Sequence, residues 1–412
     1  MRIWTIVALL TLAQSGLTFG AAQAAEFRVL HNFCVSDTCL DGRAPAAPLM
    51  LDGAGTLYGT TSRGGAHDTG TVFQIATSGG VRFQRLYSFA QAGGANPQAP
   101  LMLDAAGALY GTAVNGGTRG EGTFFKLTQQ GPRWHLHVVH QFCSSSFCSD
   151  GSNPISGAAY AAARQGQPYD GNAEVFGTTV AGGNGPYGVL YRWTPKAGMH
   201  IAKSFCSELA CADGAQPNGG VAFNDAGFPC GTTHGGGSAS HGTLFCLDAN
   251  DAVWSVSFCS WTGCADGSEP SAGIVADGRG NVIGTTRFGG RYGQGVVYAV
   301  SAGAAPHRLR VLHSFCRATG CPDGSNPISA VTMVGGDIYS TTSRGGKYSG
   351  GAVFKIDAAG NFTLVHSFCR AQGCPDGYAP QAGLVSDGNG HLFGTTAQGG
   401  RSGGGVAYEI TL

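Results

Sequence analysis

One short phrase, Gly-Thr-Thr, returns seven times along the chain, starting at Gly59, Gly111, Gly177, Gly231, Gly284, Ser340 and Gly394. The second copy reads Gly111-Thr112-Ala113 and the sixth Ser340-Thr341-Thr342. Five residues after each start comes a Gly-Gly pair, beginning at Gly64, Gly116, Gly182, Gly236, Gly289, Gly345 and Gly399. The spacing averages about 56 residues, the length of one supersecondary unit that cannot bury its apolar face alone. Each copy holds four short β-type runs; in the last copy they cover 364–368, 383–386, 392–395 and 406–410. Asp387-Gly-Asn-Gly390 between the second and third runs is hairpin chemistry, because Asn and Gly accept positive φ. No stretch carries an amphipathic helical period. The pattern predicts an all-β fold, a seven-bladed β-propeller with four antiparallel strands per blade. A solenoid fits less well, since its repeats are shorter and need polar end caps.

The two ends support a ring. Residues 27–33, Phe-Arg-Val-Leu-His-Asn-Phe, copy the first-named run of the repeat, and the chain stops after the fourth-named run at 406–410. If the first-named run is the outermost strand of the preceding blade, the last blade lacks one strand and the N-terminal strand supplies it. Such closure removes the open edges that β proteins otherwise protect.

Composition agrees with one large β architecture. The 412 residues include 70 glycines without a collagen-like period, and only 12% are charged. Lys plus Arg and Asp plus Glu are both 24, so no basic excess exists to neutralise phosphates and nucleic acid is excluded as a partner. Arg2, the apolar residues 3–12 and the small-x-small site Ala22-Gln23-Ala24 form a signal peptide over 1–24. The mature part, 25–412, is one domain, secreted or periplasmic in a bacterium, with no apolar run long enough to span a bilayer.

The 14 cysteines follow the same logic. Twelve form six pairs at one spacing: Cys34/Cys39, Cys143/Cys148, Cys206/Cys211, Cys259/Cys264, Cys316/Cys321 and Cys369/Cys374. Cys230 and Cys246 remain, placed for a cross-strand bridge. An even count in an exported chain reads as seven disulfides. Zinc would need two pairs brought together, and these recur one blade apart. Each six-residue ring contributes about 2 kcal/mol through loop closure. The bridges are expected to pin glycine-containing loops that have little core of their own. The second copy omits the bridge, so its loop should be the looser one.

The unit Leu-Tyr-Gly-Thr-Thr at 57–61, Gly64-Gly65 and Gly-x-Val-Phe-x-Ile at 70–75 resembles the GloVer (Gloeobacter/Verrucomicrobia) tandem repeat. The likeness covers essentially the whole mature chain. It implies an exported bacterial propeller-like protein, in a family without an established activity. Members often end in a surface-anchoring segment, and Ile410-Thr-Leu412 does not read as one.

In an up-and-down meander, alternate connections share a face, so the Cys-x4-Cys and Gly-Gly connections lie together, and this loop-rich face is the expected working face. Six loops carry Asp-Gly after the second cysteine, at Asp41, Asp150, Asp213, Asp266, Asp323 and Asp376. Turn capping by each Asp of its own backbone explains them better than a calcium ring, and no metal or cofactor is expected. The residues that vary between blades are better guides to specificity: His67-Asp68, Arg119, Tyr187, Arg291-Tyr292, Lys347-Tyr348 and Arg401, with His234 and His241 around one loop. Aromatic and cationic side chains on one rim suit a carbohydrate or another extracytoplasmic polymer or protein. Arg291, Tyr292, Lys347, Tyr348, Arg401, His234 and His241 are the candidate ligand-binding residues. No nucleophile elbow, zinc-protease motif or carboxylate pair stands out, and the insertion at 158–174 offers no nucleophile–base set. A binding or recognition module ranks first, a structural envelope protein next, and a polysaccharide lyase or hydrolase last.

Overall fold

A computed structural model describes residues 25–412 apart from 166 and 304, so the expected signal peptide over 1–24 lies outside the described residues. The strands form seven antiparallel sheets, joined only by turns, loops and short 3-10 segments. The first blade runs Met50–Leu51, Thr56–Thr61, Thr71–Ala76 and Arg82–Ser88. The seventh takes Val385–Ser386, His391–Thr396 and Val406–Thr411 from the end of the chain. Its fourth strand is Glu26–Asn32, with Phe27 opposite Ile410 and Val29 opposite Tyr408. The ring therefore closes with the N-terminal strand as the outermost strand of the last blade. The innermost strands are very short, and the fourth blade adds Ala215–Pro217 along the edge of Pro229–Gly235, beside Ala222–Phe223.

The core is not one mass. Seven buried apolar clusters occupy the seven blade boundaries, and the one holding Leu30, Phe33, Phe73 and Phe393 spans the closure. Each sheet therefore buries both faces against neighbours, which is why the second and third strands read as nearly continuous buried residues.

One aromatic pair recurs at every boundary. The phenylalanine ending each outermost strand inserts against the aromatic ring on the third strand of the next blade. The pairs are Phe33–Phe73, Phe89–Phe125, Phe142–Tyr191, Phe205–Phe245, Phe258–Tyr298, Phe315–Phe354 and Phe368–Tyr408, with centroids 4.8–5.4 Å apart. In the six blades that keep it, the receiving ring lies over the glycine of Gly-Thr-Thr; in the sixth, Ser340 stands opposite Phe354. A Cβ on Gly59 would fall 2.5 Å from the Phe73 ring, and one on Gly394 2.5 Å from the Tyr408 hydroxyl. The glycine is there for space.

The next threonine ties the blade forward. Its hydroxyl donates to a backbone carbonyl of the following blade in all seven copies: Thr60 to Ala99, Thr112 to Ser156, Thr178 to Gly219, Thr232 to Ala272, Thr285 to Ser329, Thr341 to Ala382 and Thr395 to Ala47, at 3.1–3.5 Å. The last of these crosses the closure. On the face away from the cysteines, Asp52, Asp104, Asp277, Asp357 and Asp387 each accept two backbone N–H bonds within their own turn, as Asx turns do.

Three blades place tyrosine where four place phenylalanine. The hydroxyls of Tyr191, Tyr298 and Tyr408 are buried without a partner among the described residues, and burial raises their pKa values far above that of a free phenol. An orphaned buried hydroxyl costs about 1–3 kcal/mol. Tyr298→Phe and Tyr408→Phe are therefore expected to keep or raise the thermal unfolding midpoint, gaining about 1 kcal/mol each. Phe368→Ala, which empties the partner position, should lose about 3–5 kcal/mol. Differential scanning calorimetry of the three variants checks the ordering.

Candidate functional site

All seven expected disulfides are formed. The six evenly spaced bridges are Cys34–Cys39, Cys143–Cys148, Cys206–Cys211, Cys259–Cys264, Cys316–Cys321 and Cys369–Cys374, and Cys230 and Cys246 bridge directly across neighbouring strands. Within these loops Cys148, Cys211 and Cys264 each end a 3-10 segment, at Ser146–Cys148, Leu209–Cys211 and Thr262–Cys264. The second cysteine takes the left-handed conformation in all six bridged copies, with φ of 45° at Cys39, 54° at Cys148, 56° at Cys211, 54° at Cys264, 50° at Cys321 and 49° at Cys374.

The bridge is also not the only thing that pins the loop. In that conformation the carbonyl of the second cysteine accepts two N–H bonds, one from the glycine of Asp-Gly and one from the second glycine of Gly-Gly. The donors are Gly42 and Gly65 for Cys39, Gly151 and Gly183 for Cys148, and Gly214 and Gly237 for Cys211. Gly267 and Gly290 serve Cys264, Gly324 and Gly346 serve Cys321, and Gly377 and Gly400 serve Cys374, all at 2.8–2.9 Å. In the second blade, which has no bridge, Gly94 and Gly117 donate to Gln91 at 3.3 and 2.7 Å, so the same fastening survives without sulfur. Both glycines of each Gly-Gly pair have positive φ, and a Cβ on Gly64 would meet the Cys39 carbonyl at 2.7 Å. The two connections share a face, as expected.

Turn capping holds for five of the six Asp-Gly carboxylates, but of a different backbone: Asp150, Asp213, Asp266, Asp323 and Asp376 reach back to the start of their cysteine loops, whereas Asp41 bonds only His31 among the described residues. Asp213 accepts from the N–H groups of Ser207 and Glu208, Asp266 from Ser260 and Trp261, and Asp376 from Cys369. Four of the six also meet a histidine on the preceding outermost strand: His31–Asp41 at 2.9 Å, His140–Asp150 at 3.1 Å, His313–Asp323 at 3.2 Å and His366–Asp376 at 3.3 Å. Lys203 takes that place beside Asp213 at 2.9 Å. Three of the histidines stack on a phenylalanine of another outermost strand, namely Phe83, Phe362 and Phe27. These are structural clasps.

The cavity that all seven blades build together lies on the axis. It measures about 360 Å³ and is lined by the segments that lead from the cysteine loops into the innermost strands. One position of that segment reads Ala46, Gln98, Ile155, Asn218, Ser271, Ile328 and Gln381 around the ring. A second position, directly after Gly-Thr-Thr, reads Ser62, Val114, Val180, His234, Arg287, Ser343 and Ala397, and only His234 and Arg287 reach the cavity wall. These two come from adjacent blades at the cysteine-face end of the axis. His234 Nε2 stands 4.0 Å from Glu269 Oε2, and its Nδ1 is buried without a partner among the described residues. The Arg287 guanidinium lies over the Phe288 ring at 4.8 Å and has no carboxylate partner among the described residues. No Asp or Glu among them lines the cavity.

Of the ligand-binding candidates singled out in the sequence, His234 alone lines this axial cavity. His241 sits within reach of the Cys259 and Cys264 sulfurs, which are already joined to one another and cannot ligate a metal as thiolates. The Gly-Gly loops lean outward: the N–H of Arg291 donates to Ser314, that of Tyr348 to Ser367 and that of Arg401 to Asn32, all at the ends of outermost strands. Arg291 and Lys347 each lie over the following tyrosine, Tyr292 and Tyr348, at 5.7 and 5.5 Å. Two cysteine loops also present nearly bare apolar tips, Phe147 and Leu209, exposed by 97% and 94%. Arg287, Glu269, Gln98, Asn218 and Gln381 escaped the sequence reading. Comparing the residue after Gly-Thr-Thr across the copies would have isolated Arg287.

A model of the Gloeobacter/Verrucomicrobia repeat matches residues 11–169 and 163–408. The chain belongs to the Gloeobacter/Verrucomicrobia repeat family. None of the curated proteins matches the sequence. Among solved structures, the fold of this family member is similar to virginiamycin B lyase from Staphylococcus aureus, at TM-score 0.55 and 9% identity over 94% of this chain and 99% of that one. A streptogramin B lyase gives 0.57 and 9%, over 94% and 98%. The β-propeller domain of Cps50 (Swd1) from Myceliophteria thermophila gives 0.53 and 11%, over 90% and 97%. At these identities the likeness carries the propeller fold alone.

Among the described residues of this repeat protein, no helix is long and apolar enough to cross a membrane. Seven disulfides accord with an oxidising compartment.

The clasps give the ring a pH dependence. Burial lowers the His140 and His313 pKa values despite the neighbouring carboxylates. Burial would raise Asp150 and Asp376, yet serine and histidine hydrogen bonds bring both below the ordinary carboxylate value. A histidine whose folded pKa lies below its unfolded value of about 6.5 contributes stability that is lost as pH falls below that value. The depressed carboxylates add a further loss below about pH 4. Thermal midpoints measured from pH 8 to pH 4 should fall first below about 6.5, and the double variant His140→Gln with His313→Gln should flatten that first slope. A midpoint that rises on acidification would contradict this assignment.

Proposed function

We propose that the protein is an extracytoplasmic recognition module that binds carbohydrate on its cysteine face, with the axial cavity as the principal site. One observation carries the reading: the ring keeps its sevenfold rules where the blades contact one another and abandons them where side chains line the axis. Packing demands the repeat, so polar departures from it gathered in one cavity are the mark of a ligand. Gln98, Asn218, His234, Ser271, Arg287 and Gln381 supply donors and acceptors suited to sugar hydroxyls. Farther out, the Arg291–Tyr292 and Lys347–Tyr348 pairs extend the surface a longer glycan would touch. Among the described residues the wall holds one imidazole, His234, and no carboxylate pair, so binding ranks ahead of catalysis here.

Glycan-array binding of residues 25–412 tests the reading. The wild type should give signal, and Ser271→Trp, which fills the cavity, should remove it while the thermal midpoint stays near that of the wild type. Replacing Arg291, Tyr292, Lys347 and Tyr348 together by alanine should lower the signal without abolishing it. A silent array with turnover of an acidic polysaccharide would place an enzyme first, and a silent array without turnover would leave the structural role.

A further inference from the structure

Resting on the axial cavity as the binding site, we infer that its ligand is a small sugar acid whose oxyanion sits on Arg287. A cavity of about 360 Å³ is at the lower end of small-molecule sites, so the occupant is a small saccharide or the end of a chain. The charge of the wall is one-sided. Arg287 brings a permanent cation, and no Asp or Glu among the described residues lines the cavity. Several other arginines of this protein are tied down, as Arg28 is to Glu409, Arg43 to Asp68 and Arg192 to Asp251. Arg287 has its own neighbour Phe288 beneath it and no such anchor among the described residues. Glu269, whose carboxylate approaches this corner, leans toward His234 at 4.0 Å and does not pair with Arg287. A planar guanidinium with free donors, exposed at the mouth of the cavity, calls for an oxyanion with two oxygens to accept two parallel hydrogen bonds.

The remaining polar groups describe the rest of the molecule. Gln381 and Asn218 have no side-chain hydrogen-bond partner among the described residues, and the Gln98 amide nitrogen is engaged by Asn96 at 3.0 Å, which leaves its oxygen free. Neutral amides spread around a ring meet hydroxyls, whereas a bare mineral anion would leave them unmatched. The apolar places between them, Ile155, Ile328 and the prolines Pro48 and Pro100, fit the C–H faces of a pyranose. One guanidinium balances one negative charge, which suits a carboxylate or a sulfate ester better than a phosphate approaching two. The two sources share this chemistry and separate by titration.

Isothermal titration of the mature chain with galacturonate, galactose 6-sulfate and galactose decides the matter. One or both acidic sugars should bind at least about tenfold tighter than galactose, with affinity falling as salt is raised. Arg287→Gln should reduce the acidic sugar's affinity about 10- to 100-fold and leave galactose unchanged. Arg287→Lys should recover part of the loss, and Arg82→Gln on an outermost strand should do nothing. Binding of galacturonate alone assigns the carboxylate, and binding of the sulfate alone assigns the ester. Equal affinity for galactose and the acids, or an Arg287→Gln variant that binds like the wild type, would overturn the sugar acid while keeping the axial site. No binding of any of the three, together with an array signal unaffected by Ser271→Trp, would overturn the axial site as well.

Discussion

Each blade is completed by a phenylalanine that belongs to the blade before it. Phe33, Phe89, Phe142, Phe205, Phe258, Phe315 and Phe368 are all essentially buried, and each rests on the aromatic ring of its neighbour's third strand. A four-stranded sheet with two apolar faces has no stable existence alone; it needs a partner on both sides, and only a circle gives every sheet two. The rest of the repeat serves that contact. Glycine makes room for the receiving ring, the following threonine bonds forward to the next blade, and proline meets the glycine before each third strand, as Pro97 meets Gly70 and Pro45 meets Gly405.

Much of this was legible because packing rules repeat. Seven copies of Gly-Thr-Thr announced seven blades, and the apolar run at 27–33 announced how the circle closes; the observed strand, Glu26–Asn32, differs by one residue at each end. Strand bounds elsewhere drifted more. The run expected at 383–386 forms only Val385–Ser386, because Gly383 and Leu384 belong to the segment entering from the cysteine loop, where they meet the axis and the blade boundary. Cysteine spacing gave the bridges, but not the turn they sit in: nothing in the residue type announces that Cys148, Cys211 or Cys321 takes positive φ to aim its carbonyl at two glycine N–H groups. That conformation is set by the partner loop, whose donating glycine lies 35 residues beyond Cys148 and 25 or 26 beyond the second cysteine elsewhere. The insertion at 158–174 carried no readable period. Its residues 167–174 run over the opposite face, where the N–H of Tyr169 donates to Leu103 and its ring packs on Tyr110 and Tyr160. Long-range aromatic contacts of that kind leave no local signature.

The site was less legible than the fold for a related reason. Loop residues such as Arg291 and Lys347 drew notice because they are charged and sit at loop tips, a position that says little about convergence. Arg287 sits inside the most regular part of the repeat and stands out from Ser62 or Ala397 only when the residue after Gly-Thr-Thr is compared from copy to copy. Convergence on the axis is a property of the ring and not of any one blade. His234 was seen in the sequence, but its neighbours Glu269 and Arg287 come from the following blade, more than thirty residues on.

The account stands on the circle being closed by the N-terminal strand. Hydrogen exchange followed by mass spectrometry tests this directly, by comparing the peptide covering Glu26–Asn32 with that covering Arg82–Ser88, the equivalent outermost strand of the first blade. A closed ring predicts that both exchange slowly and by the same cooperative opening. Exchange of 26–32 within seconds, with 82–88 still protected, would show an unpaired end and contradict it.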